Sequence, residues 1–223
     1  MLLNRPEGVR IQDGLGHSSF QPAAGGVAFP STGVLDTFTD TNGTLLPDHD
    51  PEGGGVGTWI EAYSSGTHSI QTNQYANTGG DDDVAYFWNV SYGPRAEVFL
   101  TLSQIQQATS FYVVIGLRST SNSSATADGY WTAVNQTNVI FCERFDNYVA
   151  TTLDSASYTP TATDVIGHRS DGNTHTSYVD GVEVNSGSDS SFTSAGTLTI
   201  LWGCSGDSGN NWIFDDFGGG TMP

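Results

Sequence analysis

Thr174-His175-Thr176-Ser177-Tyr178-Val179-Asp180-Gly181-Val182-Glu183-Val184 is the stretch that decides the fold. Two short runs of β-branched and aromatic residues flank an Asp-Gly pair, and that pair supplies the positive φ angles of a tight two-residue hairpin turn. A hairpin needs a sheet to lie in, and the chain offers strand-like runs on both sides of it. Upstream, Trp59, Glu61 and Tyr63 alternate with Ile60 and Ala62, and Val84, Tyr86, Trp88 and Val90 share a face. Val98, Leu100 and Leu102 form a second such set, and Phe111, Val113, Ile115 and Leu117 a third. Downstream, Leu198, Ile200 and Trp202 line up before a closing Asn211-Trp212-Ile213-Phe214-Asp215-Asp216-Phe217. Period-two runs of this kind predict strands with one covered face. Between 130 and 153 three more strands are legible, and only residues 103–110 suggest a short helical turn. Roughly a dozen closely spaced strands without an amphipathic helix between them predict a two-sheet antiparallel sandwich.

Composition agrees. Charged residues are only 13% of the 223, and 28 glycines accompany abundant Ser, Thr and Asn, which suits short strands joined by turns. The charge is one-sided, 24 acidic residues against 6 basic ones, for a formal −18; every basic residue is arginine. Without a basic footprint, neither nucleic acid nor an anionic membrane surface is an expected partner. No apolar run is long enough to cross a bilayer. Cys142 and Cys204 are too few for a disulfide framework and lack metal-ligand spacing; two buried thiols and a single bridge both remain open.

Residues 1–33 read differently. Pro6, Gly8, Gly14, Gly16, Pro22, Gly25, Gly26 and Pro30 punctuate the segment too often for stable regular structure, so it is expected to be an extended arm. The body then spans 34–217, and Gly218-Gly219-Gly220 opens a short tail over 218–223. Met1-Leu2-Leu3-Asn4-Arg5 is not followed by the apolar core of a secretory signal.

Several short motifs then point to a family. Leu35-Asp36-Thr37-Phe38 followed by Asn42-Gly43-Thr44-Leu45, Val114-Ile115-Gly116-Leu117-Arg118 followed by Asp128-Gly129-Tyr130-Trp131, the Val-Asp-Gly-Val-Glu-Val turn and the closing Trp212 to Phe217 run occur in the order seen in concanavalin A-like jelly rolls. The chain resembles these folds, laminin-G-like modules included, over about residues 34–217. That resemblance implies an all-β jelly-roll sandwich. It also implies a structural calcium near the neighbouring terminal strands, with Asp36, Asp215 and Asp216 as its ligands. Asp81 and Asp83 of the acidic triple form a second candidate for the same ion, which takes six to eight oxygens. Asp48-His49-Asp50 reads as a polar loop, with a transition-metal site as the alternative.

Retaining glycosidases on this fold carry Glu-x-Asp-x-x-Glu or Glu-x-Asp-x-Glu, because alternate strand residues hold two carboxylates about 5 Å apart. No such string occurs. Glu143-Arg144-Phe145-Asp146 has the wrong parity, and Glu143, alternating with Phe141 and Phe145, is expected to be half-buried against an arginine. Lyase motifs are incomplete, since Arg95-Ala96-Glu97 stands alone and the chain has no lysine. No catalytic residue is therefore assigned. Sugar binding needs aromatic rings with Asn, Asp or Arg beside them; Trp59, Tyr63, Trp88 and Tyr130 are the candidates, together with Trp131 and the near-terminal Trp212, and Tyr75, Asn77 and Tyr92 in loops are equal alternatives.

These features lead to three expectations. The favoured one is a virion structural or accessory protein (capsid decoration, head fibre or tail component) made in a host cytoplasm. It attaches through residues 1–33 to capsid or tail proteins or to copies of itself, and takes cell-surface polysaccharide as a further partner. The alternative is a carbohydrate-binding module or lectin, with an extracellular life; the third is a polysaccharide-degrading enzyme.

Overall fold

Alternation along the chain becomes two facing sheets in the computed structural model. It describes residues 10–12, 18–20, 27–51, 57–64, 67–79, 82–105, 110–120, 128–135, 137–147, 149–205 and 212–223. In chain order the strands are β1 (Arg10–Gln12), β2 (Ser18–Phe20), β3 (Val34–Asp36), β4 (Trp59–Ser64), β5 (Thr67–Ile70), β6 (Tyr75–Gly79), β7 (Asp82–Tyr92), β8 (Ala96–Ile105) and β9 (Ser110–Ser119). They continue with β10 (Gly129–Asn135), β11 (Val139–Asp146), β12 (Val149–Ser157), β13 (Val165–Asp171), β14 (Thr174–Val179), β15 (Val182–Ser188), β16 (Gly196–Ser205) and β17 (Trp212–Thr221). A single 3-10 turn, Leu46–Asp48, is the one helical element among the described residues. Ser103–Ile105, expected in a helical turn, continues β8.

One sheet has the order β12-β11-β10-β9-β16-β7-β4 and the other β15-β14-β13-β8-β17-β6-β5, with β3 against β17. All pairings within them are antiparallel. This is the all-β sandwich that the period-two reading predicts. Val84, Tyr86, Trp88, Val98, Leu100, Leu102, Val113, Ile115, Leu117, Leu198 and Ile200 meet between the sheets in one apolar cluster. Each comes from a run whose alternation assigned it to the covered face.

The deciding hairpin closes as expected. Val179 pairs with Val182, and Asp180 (φ 50) and Gly181 (φ 78) make the turn between them. The Asp180 carboxylate also accepts a hydrogen bond from the Val165 amide at 2.9 Å, which ties the turn to β13.

Both ends of the chain are more engaged than their composition suggests. β1 pairs with β2. Residues 27–33 run along the outer surface of the eight-stranded sheet. There Phe29 stacks on Tyr178 at 4.2 Å between ring centroids and fills the space over Gly167, where any Cβ would collide with its ring. The Glu97 carboxylate accepts from the amides and hydroxyls of Ser31 and Thr32, and Arg169 bridges Glu97 to the carbonyls of Val27 and Ala28. Gly218-Gly219-Gly220, expected as a tail, are strand residues of β17 facing Phe99, Val98 and Glu97 of β8.

The interior changes character beneath β10. Thr132, His168, Ser170, His175 and Ser177 are all buried there and joined by short hydrogen bonds. Thr132 meets His168 Nδ1 at 3.0 Å and donates to Ser177 at 2.8 Å, while Ser170 lies 2.8 Å from His175 Nδ1. Arg118, at φ 58 and fully buried, reaches the carbonyls of Phe192, Pro94 and Gly172 above this network.

Candidate functional site

The outward face of the seven-stranded sheet holds a second apolar cluster, built from the residues that alternate with the inward set. Phe87 and Ala85 come from β7, Val114 and Tyr112 from β9, Trp131 and Ala133 from β10, Phe141 and Phe145 from β11. Register places them in rows across the strands. Tyr112 faces Asn135; Val114, Ala133 and Phe141 form the next row; Gly116, Trp131 and Glu143 the one after. Gly116 is needed where it stands, because its missing side chain is the space that the Trp131 indole occupies. Phe145 stacks on that indole at 3.7 Å and 19°.

The middle row is low because Ala133 is small. The result is an open groove of about 320 Å³ lined by Tyr112, Val114, Ala133, Asn135, Phe141, Glu143 and Phe145. Its apolar floor and ring walls suit the C–H faces of a sugar, and its two polar groups suit hydroxyls. The Asn135 side-chain oxygen accepts from the amide and hydroxyl of Thr137 at 3.0 and 2.7 Å, which fixes the amide plane. Glu143 accepts from the Thr152 hydroxyl at 3.3 Å, and burial among the rings raises its carboxyl above the ordinary range despite that bond.

Glu143 is half-buried as its alternation predicts, yet among the described side chains no arginine pairs with it. Arg144 turns to Asp189 and Ser191; Arg95 pairs with Asp171, Arg169 with Glu97, and Arg118 lies inside.

Three of the four expected sugar-stacking rings face inward. Trp59 and Trp88 belong to the cluster between the sheets, and Trp59 Nε1 donates to Asp36. Tyr130 is fully buried, stacked on His175 at 3.4 Å with its hydroxyl donating to Asp189 at 2.6 Å. Tyr63 is exposed, on the edge strand β4. The groove rings Tyr112, Phe141 and Phe145 were not picked out from sequence. For Tyr112 the signal was present, since it alternates with Phe111 and Val113; for Phe141 and Phe145 it lay in their shared alternation with Glu143.

The expected calcium ligands do not come together. Asp36 is fully buried, and its two oxygens are taken by the Phe38 amide, His49 Nε2 and the Trp59 indole. Asp215 accepts from Gln74 and from the Asp216 amide, and burial followed by the charge of Asp215 raises the Asp216 carboxyl. A fully buried carboxylate already committed to three donors is poorly placed to join the other two around an ion, so this donor set does not fit calcium. No group of three or more metal-ligating side chains forms among the described residues. Asp81 and the side chain of Asp83 lie outside the described residues. His49, in the loop read as polar, turns inward and lies between Asp36 and Asp40, at 2.9 and 3.0 Å. The thiol of Cys142 is free and buried, pushed up to about 12 by burial.

No protein-family profile and no curated protein sequence matches the chain. Solved structures do. The carbohydrate-binding module CBM66 from Bacillus subtilis superposes with a TM-score of 0.52 at 15% identity, covering 73% of this chain and 95% of that one. The Bacillus licheniformis β-glucanase gives 0.58 at 11% identity, covering 86% and 98%. The carbohydrate recognition domain of Emp46p gives 0.56 at 7%, covering 74% and 89%. Likeness at these identities establishes the shared jelly-roll fold.

Proposed function

We propose that this chain is a carbohydrate-binding domain that holds a glycan on the outward face of its seven-stranded sheet. One observation carries the reading: an open groove with aromatic walls, an alanine floor, and Asn135 and Glu143 as its polar groups. The fold neighbours lend support, since they include a carbohydrate-binding module and a carbohydrate recognition domain. Binding is favoured over cleavage because Glu143 is the single carboxylate lining the groove among the described residues, whereas retaining hydrolysis uses two about 5 Å apart.

The virion reading gains no support from these neighbours. A capsid or tail partner met through residues 1–33 would have to do without residues 27–33, which are committed to the eight-stranded sheet. Adsorption to a surface polysaccharide would use the same groove.

The test is affinity electrophoresis of the full chain through gels carrying a panel of polysaccharides. Retardation by at least one polymer is expected, lost in Phe141→Ala and kept in Tyr63→Ala. Retardation untouched by Phe141→Ala would place binding elsewhere and overturn this reading. Release of shortened polymer would revive the enzyme.

A further inference from the structure

We propose that the groove selects an amino sugar, a glycan unit whose free protonated amine pairs with Glu143 while its ring lies against Phe141 and Phe145. This inference rests on the carbohydrate-binding reading and names the ligand class for the same site.

Among the described side chains, the charge of Glu143 is unmatched. Glu143 stands between aromatic rings with one described partner, a hydroxyl at 3.3 Å. The four arginines whose side chains are described, Arg95, Arg118, Arg144 and Arg169, are engaged elsewhere, and the chain contains no lysine. A partly desolvated carboxylate without a cation is costly, and the cost is recovered when a bound group supplies the opposite charge with hydrogen bonds. Burial raises the Glu143 carboxyl, and an ammonium ion would bring it back down.

The surroundings favour the same ligand. Phe141 and Phe145 sit two positions to either side of Glu143 on β11, so all three side chains share one face. Carboxylate and phenyl faces together form a site for an alkylammonium, because ring quadrupoles attract cations. A groove built for uronic acids or sulfated sugars would carry basic groups, and no basic residue lines this one among the described residues. The formal charge of −18 steers cations toward the molecule and repels acidic glycans.

The experiment is calorimetric titration of the full chain with three tetramers: β-1,4-linked glucosamine, its fully N-acetylated counterpart, and the neutral glucose analogue. The glucosamine tetramer is expected to bind at least about tenfold more tightly than the other two, or roughly 1.4 kcal/mol. Its affinity should be bell-shaped in pH, with an acid limb from Glu143 and an alkaline limb from the sugar amine. Glu143→Gln should erase the preference. Glu183→Gln, at an exposed position on β15 of the other sheet, should leave it intact.

Equal or tighter binding of the N-acetylated or neutral tetramer overturns the amino-sugar inference. If that binding is abolished by Phe141→Ala, the carbohydrate-binding reading stands. Glucosamine binding that survives both Glu143→Gln and Phe141→Ala is diffuse attraction to an acidic surface and also overturns the inference. Absence of binding by all three tetramers overturns it too, and the polysaccharide panel then decides the broader reading.

Discussion

Two glutamates, one on each sheet, show how surroundings decide what a carboxylate does. At Glu97, burial alone would raise the carboxyl, but Arg169 and the donors of Ser31 and Thr32 outweigh it and hold the group below its ordinary range. Its contribution to stability is present above the ordinary carboxylate range and is lost as pH falls through the lowered value. Glu97→Gln leaves Arg169 half-matched; a loss of about 3 kcal/mol is expected for a broken buried pair. In a chain of this size that corresponds to roughly 6–12 °C in Tm. Glu143 has the opposite sign. With its carboxyl raised, ionisation opposes folding, so its penalty is absent at acid pH and grows as pH rises through the raised value. Glu143→Gln should therefore match or exceed the parent in Tm at neutral pH, by about 1–3 °C, and the gap should close in acid. Scanning fluorimetry at two pH values checks both glutamates; a Glu143→Gln protein markedly less stable than the parent at neutral pH would make the residue structural.

Among the elements, β14 and β15 were the most legible, since Asp180-Gly181 announces its own turn. Gly181 carries a second duty that sequence does not reveal. A Cβ there would lie 2.9 Å from the Phe29 carbonyl oxygen, on a residue already at φ 78. Gly181→Ala is expected to cost about 1–2 kcal/mol from the left-handed backbone alone. Pressing on Phe29 should also loosen residues 27–33, and hydrogen exchange would show protection falling on both segments together. Loss confined to the hairpin would mean that the two are uncoupled. Alternation told which residues share a face, and the inner set from β7, β8, β9 and β16 followed directly. It could not tell which of two adjacent rings faces the partner sheet. Hence the sequence reading names Tyr130 among its site residues, although it stacks on His175, while its neighbour Trp131 underlies the groove. Contacts distant in sequence were also out of reach. Glu97 meets donors 65 and 66 positions upstream, and nothing in either stretch signals the meeting.

At the scale of the whole molecule, charge is spent unevenly. The four arginines whose side chains are described pair with Asp171, Asp189 and Glu97 or reach carbonyls, and six arginines in all stand against 24 acidic residues. Added sodium chloride should therefore raise Tm by screening the repulsion among the acidic residues. A Tm falling with salt would mean that the internal pairs outweigh it. Lowering pH acts through the buried imidazoles. Burial holds His68 and His175 down to about 4, and His168 well below its ordinary value. All three stay neutral in the folded chain but take up protons in the unfolded chain near the ordinary 6.5. Their contribution is complete above that value and is lost as pH falls toward about 4. Urea denaturation at high salt, where repulsion is already screened, should show the midpoint dropping over this window. A flat profile would mean that these rings become hydrated on the folded side.

Cys142 sits between Phe141 and Glu143 on β11, but its thiol points into the sandwich and donates to the His175 carbonyl at 3.4 Å. The strand that carries the groove on one side thus carries a concealed nucleophile on the other. In a Cys204→Ser background, the rate of its alkylation becomes a stopwatch for how often β11 lifts away from its neighbours. A glycan gripping the outer side should slow that clock without ever touching the sulfur.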